Sequence, residues 1–104
     1  MRRPKRWAAD VAKIIYLSIG NSDDKLTQAE WSQYVVEIIA RVVSIGYTHG
    51  TWFSLPHTPY QNACWCLEFN NVADLAEARE VATEVRKKWR QDSVAWATAS
   101  TEFI

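Results

Sequence analysis

Cysteine, histidine, glycine and methionine are scarce in this 104-residue chain, with 2, 2, 3 and 1 copies respectively. Two cysteines do not make the disulfide scaffold on which small secreted domains rely. Cys64 and Cys66 stand two apart in a run that reads as a strand, which puts both on one face with Cα atoms about 6.6 Å apart. A disulfide needs Cβ atoms within about 4 Å, so the expectation is two free thiols in a reducing compartment, hence a cytoplasmic protein. Two thiols and two scattered histidines match no zinc spacing, and no metal is assigned. Gly20 stands alone rather than in a phosphate-cradling loop, and Asp23 and Asp24 beside it would repel a phosphate. No apolar run approaches the ~20 residues of a membrane span, and the basic N-terminus lacks the apolar stretch of a signal peptide. Net charge is lacking too, with 12 basic and 12 acidic residues, which argues against a general polyanion binder.

Catalytic motifs are equally sparse. There is no nucleophile elbow, no metalloprotease helix and no cysteine with a histidine near it in the chain. His49 falls in a strand, where a satisfied or exposed histidine is commoner than a general base. No catalytic residue and no cofactor is therefore assigned. Small enzymes with few polar site residues do exist on simple folds, so the reading leans against catalysis without closing the question.

What is present is an ordinary globular composition, 48% hydrophobic and 23% charged, enough to offset chain entropy around one modest core. Arg2, Arg3, Lys5 and Arg6 make the start of residues 1–11 a basic arm, and the chain after these first six residues carries 8 basic against 12 acidic groups. Such an arm is either a solubilising terminus or a contact for an acidic surface. No linker or repeat divides residues 12–104, which read as one domain.

Along that domain, Ala12 to Ile19 is β-rich and stops at the turn cluster Gly20 to Asp24. Thr27 and Glu30 form a capping box. Trp31, Val35, Ile38, Val42 and Ile45 recur at helical spacing for about five turns, with Gly46 placed as a left-handed terminator. Tyr47 to Ser54 predicts a strand with Gly50 a candidate bulge. Leu55 to Asn62 is a loop with Pro56 and Pro59, and Ala63 to Phe69 is a third strand. Asp74 and Glu77 read as the cap of a second helix whose buried stripe is Leu75, Ala78, Ala82, Val85 and Trp89. Ser93 to Thr101 closes the series as a fourth strand.

The order βαββαβ is that of the ferredoxin-like split βαβ sandwich, an α+β fold with a four-stranded antiparallel sheet and two helices on one face. With the first and third strands taken as parallel neighbours, Asn21, Asp23, Asp24, Asn70, Asn71, Asp74 and Asp92 would share one edge of the sheet. The loop with His57, Gln61 and Asn62 would then lie at the other edge, too far away for His57 and Asp23 to form one site. The acidic edge supplies oxygen ligands of the kind calcium or magnesium takes, although turns and helix caps select the same residues.

Aromatic residues are the one unusual feature, 13 in number with six tryptophans. Trp31, Trp65 and Trp89 fit the helix-packed core. Ile14, Tyr16, Cys64, Cys66, Trp52 or Phe53, and Trp96 would then face outward on a sheet surface that no helix covers. An apolar aromatic patch of that kind marks an interface. Tyr16, Trp52, Cys64, Cys66 and Trp96 are the expected partner-binding residues, serving a homodimer or another protein, with His57, Gln61 and Asn62 as a secondary recognition loop. A small dimeric ferredoxin-like enzyme or binder, holding a hydrophobic small molecule between the sheets of the dimer, is the alternative use of the face. Single-stranded nucleic acid is a further one, disfavoured because Glu68 and Glu102 stand where stacking modules carry Lys and Arg.

The strings SIGNSDDKLTQAEW (18–31), PYQNACWC (59–66) and RQDSVAWA (90–97) resemble a family of small uncharacterised proteins from actinobacteria and their phages. The likeness runs through nearly the whole chain after residue 12 and leaves the basic arm outside. It brings no established activity, so no residue receives a role from it. What it implies is a compact protein of phage or mobile-element type that binds and redirects a host or defence protein.

Overall fold

The computed structural model describes residues 13–56, 58–100 and 104. Four strands and two helices alternate as β1 (Lys13–Gly20), α1 (Gln28–Arg41), β2 (Tyr47–Phe53), β3 (Asn62–Phe69), α2 (Val72–Lys88) and β4 (Ala95–Ala99). The sheet order is β2-β3-β1-β4. This is the ferredoxin-like α+β sandwich expected from the order of elements. Among the described residues no helix is long and apolar enough to cross a membrane.

Period-two alternation builds the core. Ile15, Leu17 and Ile19 of β1 and Ala63, Trp65, Leu67 and Phe69 of β3 are all buried, and they pack with Trp31, Tyr34, Val35 and Ile38 of α1 and Ala78, Ala82 and Val85 of α2. Both helices therefore lie on one side of the sheet. Edge-to-face and stacked ring pairs join strands within the sheet, with Phe53 of β2 against Trp65 of β3 and Phe69 of β3 against Trp96 of β4.

The helices start where side chains satisfy their free amides. Thr27 closes a reciprocal capping box, its Oγ1 accepting from Glu30 N at 3.1 Å while Glu30 Oε1 accepts from Thr27 N at 2.9 Å. The second cap is Asn71, not Asp74. Asn71 Oδ1 accepts from Asp74 N at 2.8 Å, so the helix begins three residues earlier than the Asp74–Glu77 pattern suggests. Asn and Asp cap equally well, and spacing alone does not choose between them.

Gly46 also departs from expectation. Helix α1 ends at Arg41, about four turns long, and a short 3-10 turn over Val43–Ile45 completes the buried stripe. Gly46 is extended at φ −100° rather than left-handed. Packing rather than backbone conformation favours glycine here, because a Cβ would lie a tight 3.0 Å from both the Glu68 carbonyl oxygen and Phe69 Cε1.

The central strands β1 and β3 run antiparallel, from Lys13 opposite Phe69 to Gly20 opposite Asn62. The parallel pairing expected above is incorrect for a topological reason. A hairpin joins β2 to β3 and forces them antiparallel, while α1 returns the chain so that β2 runs with β1; β3, between them, must oppose both. The end of β1 consequently meets the start of β3.

This reverses the edge assignments. Asn21 N donates to Gln61 O at 2.8 Å, and Tyr60 N donates to Asp24 Oδ1 at 2.7 Å, so the loop before β3 sits beside the first turn cluster. Asp92 joins them through Lys25 at 3.5 Å. Asn70, Asn71 and Asp74 lie at the other end of the sheet, where β3 finishes and α2 begins.

Candidate interface: the uncovered sheet face

Opposite the helices, the sheet presents three transverse rows of side chains. Trp52, Cys64, Ser18 and Ala95 form the first. Gly50, Cys66, Tyr16 and Ala97 form the second, and Tyr47, Glu68, Ile14 and Ala99 the third. Each row crosses all four strands in the order β2, β3, β1, β4. Among the described residues no element lies over them.

Four of the five residues expected at the interface are here. Tyr16 is 45% and Trp52 57% exposed, while Cys64 and Cys66 are half-buried free thiols. The bulge at Gly50 is confirmed, for the register slips between Thr48 and Gly50, leaving His49 without a partner position on β3. Beyond the slip, Trp52 is opposite outward-facing Cys64 and Phe53 is opposite buried Ala63, which assigns Trp52 to the open face.

Trp96 is the exception. It is opposite the fully buried Leu17 and stacks on Phe69 with ring centroids 6.1 Å apart, on the helix side. Its outward assignment is corrected by the alternation of AWATA itself. Ala95, Ala97 and Ala99 take the open face, and Trp96 and Thr98 turn inward.

Polarity on the face is confined to few groups. Tyr16 is opposite Cys66, and a hydrogen bond with that thiol, followed by the charge Cys66 can carry, raises the phenol above its ordinary pKa. At the lower β2 corner, His49 Nε2 and Glu68 Oε1 are 2.8 Å apart, with Tyr47 edge-on against the imidazole. The pair could not be read from spacing, because the bulge decides which way His49 points. The alanine row was legible in the sequence and was masked by the weight given to Trp96.

The upper edge of the sheet is polar but committed to internal bonds. Asn21 Oδ1 accepts from Leu26 N at 2.9 Å and its Nδ2 donates to Leu26 O at 3.0 Å. Gln61 and Gln28 exchange amide hydrogen bonds at 3.0 and 3.2 Å, and Gln91 Oε1 accepts from Ser22 N at 2.7 Å. Gln61 is thus a buried staple rather than part of a recognition tip, and Asn62 N donates to Ser54 Oγ at the hairpin neck. His57 lies outside the described residues, as do the basic arm 1–11 and Glu102.

Asp23, Asp24, Tyr60 and Arg90 hold left-handed φ values of 50–57° around this edge. A shallow cleft of about 370 Å³ opens beside them, between Ser18, Asn21, Asp23, Tyr60, Asn62 and Ser93. Among the described residues no three histidine, cysteine or carboxylate side chains gather into a metal-binding group.

Two further polar side chains, Tyr34 and Glu37, sit apart from the face. The Tyr34 hydroxyl is buried without a partner among the described residues, and burial pushes its pKa up to about 12. Glu37 binds the helices together, accepting from Lys88 Nζ at 2.9 Å, Arg41 at 3.0 Å and Trp89 Nε1 at 3.1 Å. The Lys88 hydrogen bond is the largest influence holding its carboxyl below the usual range.

Comparison with known proteins returns no matching family model and no matching curated protein. Among solved structures, the chain is similar to a dimeric ferredoxin-like protein from an uncultured marine organism at 11% identity, covering 89% of this chain and 91% of that one, with a TM-score of 0.46. It is also similar to the hydroxynitrile lyase of Passiflora edulis at 17% identity, covering 89% of this chain and 96% of that one, again with a TM-score of 0.46. The fold assignment stands on the chain's own strand order and register.

Proposed function

We propose that this chain is a non-enzymatic interaction module that associates through its open sheet face, and that its partner there is a second copy of itself. One observation carries the reading. Three rows of mainly apolar and small side chains cross the whole sheet, with a single acid–base pair, His49–Glu68, on the β2–β3 side of the third row. Exposed aromatic area with little charge is the composition of a desolvated interface core, and water contact with Trp52 and Tyr16 is the free-energy cost that association removes.

Base stacking is the weaker use of the same surface. No Lys or Arg belongs to the three rows, whereas phosphate neutralisation supplies most of the affinity for single strands. A role in redirecting a host or defence protein would compete for the same face, since the dimer covers it.

The experiment is a dilution series of solution mass for the native chain and for Trp52→Glu. A salt-resistant dimer that Trp52→Glu converts to monomer supports the reading. A native monomer at every concentration contradicts it.

A further inference from the structure

The three rows differ in one respect that selects how two copies fit. The two edge strands differ most: β2 carries Trp52 in the first row and Tyr47 in the third, while Tyr16 and Ile14 stand on the central strand β1. The β4 end carries only Ala95, Ala97 and Ala99. The face is therefore a ridge along one edge and a trough along the other. Facing sheets pack at a nearly uniform spacing of about 10 Å, so a ridge needs a trough opposite it.

Resting on the self-association proposed above, we infer that the two-fold axis of the dimer runs along the strands, midway between β1 and β3, so that the Trp52–Tyr47 ridge of each copy fills the alanine trough of the other. Rotation about that axis keeps every row in place and reverses the strand order, laying β2 of one copy over β4 of the second. Trp52 then meets Ala95, Tyr47 meets Ala99 and Tyr16 meets Cys66, large against small, while Glu68, held by His49, meets Ile14. Every one of these contacts recurs by symmetry, which makes the interface self-complementary.

An axis across the strands does the opposite. It lays each strand over itself and inverts the rows, placing Trp52 on Tyr47 and Ala95 on Ala99. Tyr16 would meet Tyr16. The β2 side would be overfilled and the β4 side empty, which close packing does not tolerate. Sheets aligned at about 30° to one another need the axis only within about 15° of the strands, a tilt that leaves the ridge over the trough.

The test uses two single variants of the full chain, Trp52→Glu and Ala95→Arg, alone and mixed in equal amounts, with native mass spectrometry to identify which chains pair. Each variant alone places an unpaired charge against an apolar surface and is expected to weaken association at least ~100-fold. In the mixture one contact joins the introduced glutamate to the introduced arginine and the other keeps the native Trp52 on Ala95, so a heterodimer forms. Both sites are exposed in the single chain, and circular dichroism checks that each variant folds.

A mixture that stays monomeric while the native chain dimerises overturns the axis and leaves sheet-face association standing. A native chain that is monomeric overturns both. As a second measurement, Tyr47→Cys and Ala99→Cys chains in a Cys64→Ser, Cys66→Ser background should crosslink to each other on oxidation. Crosslinking of Tyr47→Cys only to itself would contradict the inference independently.

Discussion

Tyr16 and Cys66 are directly opposite one another across the two central strands, on the side of the sheet that neither helix covers. A phenol and a thiol in that position make the middle of the open face apolar enough to bury, yet able to form one hydrogen bond. Around this pair lie the residues whose replacement separates association from folding.

Tyr16→Glu and Trp52→Glu are expected to abolish self-association, weakening it by at least ~100-fold, because each buries a charge without a partner. Far-UV circular dichroism should be unchanged, since neither side chain belongs to the helix-packed core. Sedimentation of the two variants checks this. Native-like association of both would remove the open face from the interface.

Trp96→Ala should behave in the opposite way. Its ring stacks on Phe69 and covers the core beneath α2, so truncation is expected to cost about 2–3 kcal/mol, below the roughly 3–5 kcal/mol typical of a fully buried aromatic. Chemical denaturation measures the loss. Association of the folded fraction should persist, in contrast with Trp52→Glu.

Cys66→Ala should lower the ionisation midpoint of Tyr16, because the Cys66 thiol is the main cause of its elevation. A spectroscopic titration, with Tyr16→Phe to identify the signal, reports the shift. No shift would mean that the two groups do not interact in solution.

Gly46→Ala is expected to destabilise by about 1–3 kcal/mol through overpacking, since the new methyl meets the Glu68 carbonyl and the Phe69 ring at 3.0 Å. Thermal unfolding checks it. A helix-terminating glycine would show the same sign through backbone strain, but Gly46→Asn, which tolerates a left-handed φ, would rescue that case and should not rescue this one.

Glu37 links stability to pH. Its carboxyl titrates below the usual range when folded, so its contribution is complete above the unfolded value of about 4.3 and is lost as pH falls through the lower folded value. Glu37→Gln should therefore cost about 1 kcal/mol at neutral pH, a modest figure because the Lys88 and Arg41 partners are solvent-exposed. The gap between native and variant midpoints should narrow below about pH 4. A gap that is constant with pH would assign the effect to packing.

Helix and strand identities were legible in the sequence because they follow from short-range patterns: the Thr27–Glu30 box, the Trp31 to Val42 stripe and the alternation from Ala63 to Phe69. The relative direction of β1 and β3 was not, since it depends on which strands the crossovers skip and no local residue encodes that. From this one error came the misplaced polar edge, with Gln61 assigned to a free loop when it is a buried partner of Gln28. On the open face, strand alternation places Tyr16, Cys64 and Cys66, whereas the choice between Trp52 and Phe53 depends on the register slip before Gly50. The face was read incorrectly at Trp96, where the size of the residue outweighed the parity of its strand. The His49–Glu68 pair depends on a bulge whose direction a glycine permits but does not specify.

The most direct test of the central claim is the solution mass of the native chain by light scattering across a concentration series, at low and at high salt. A dimer that persists in high salt is expected, because the face is held by apolar contact rather than by charge. A strict monomer under both conditions would contradict self-association through the sheet.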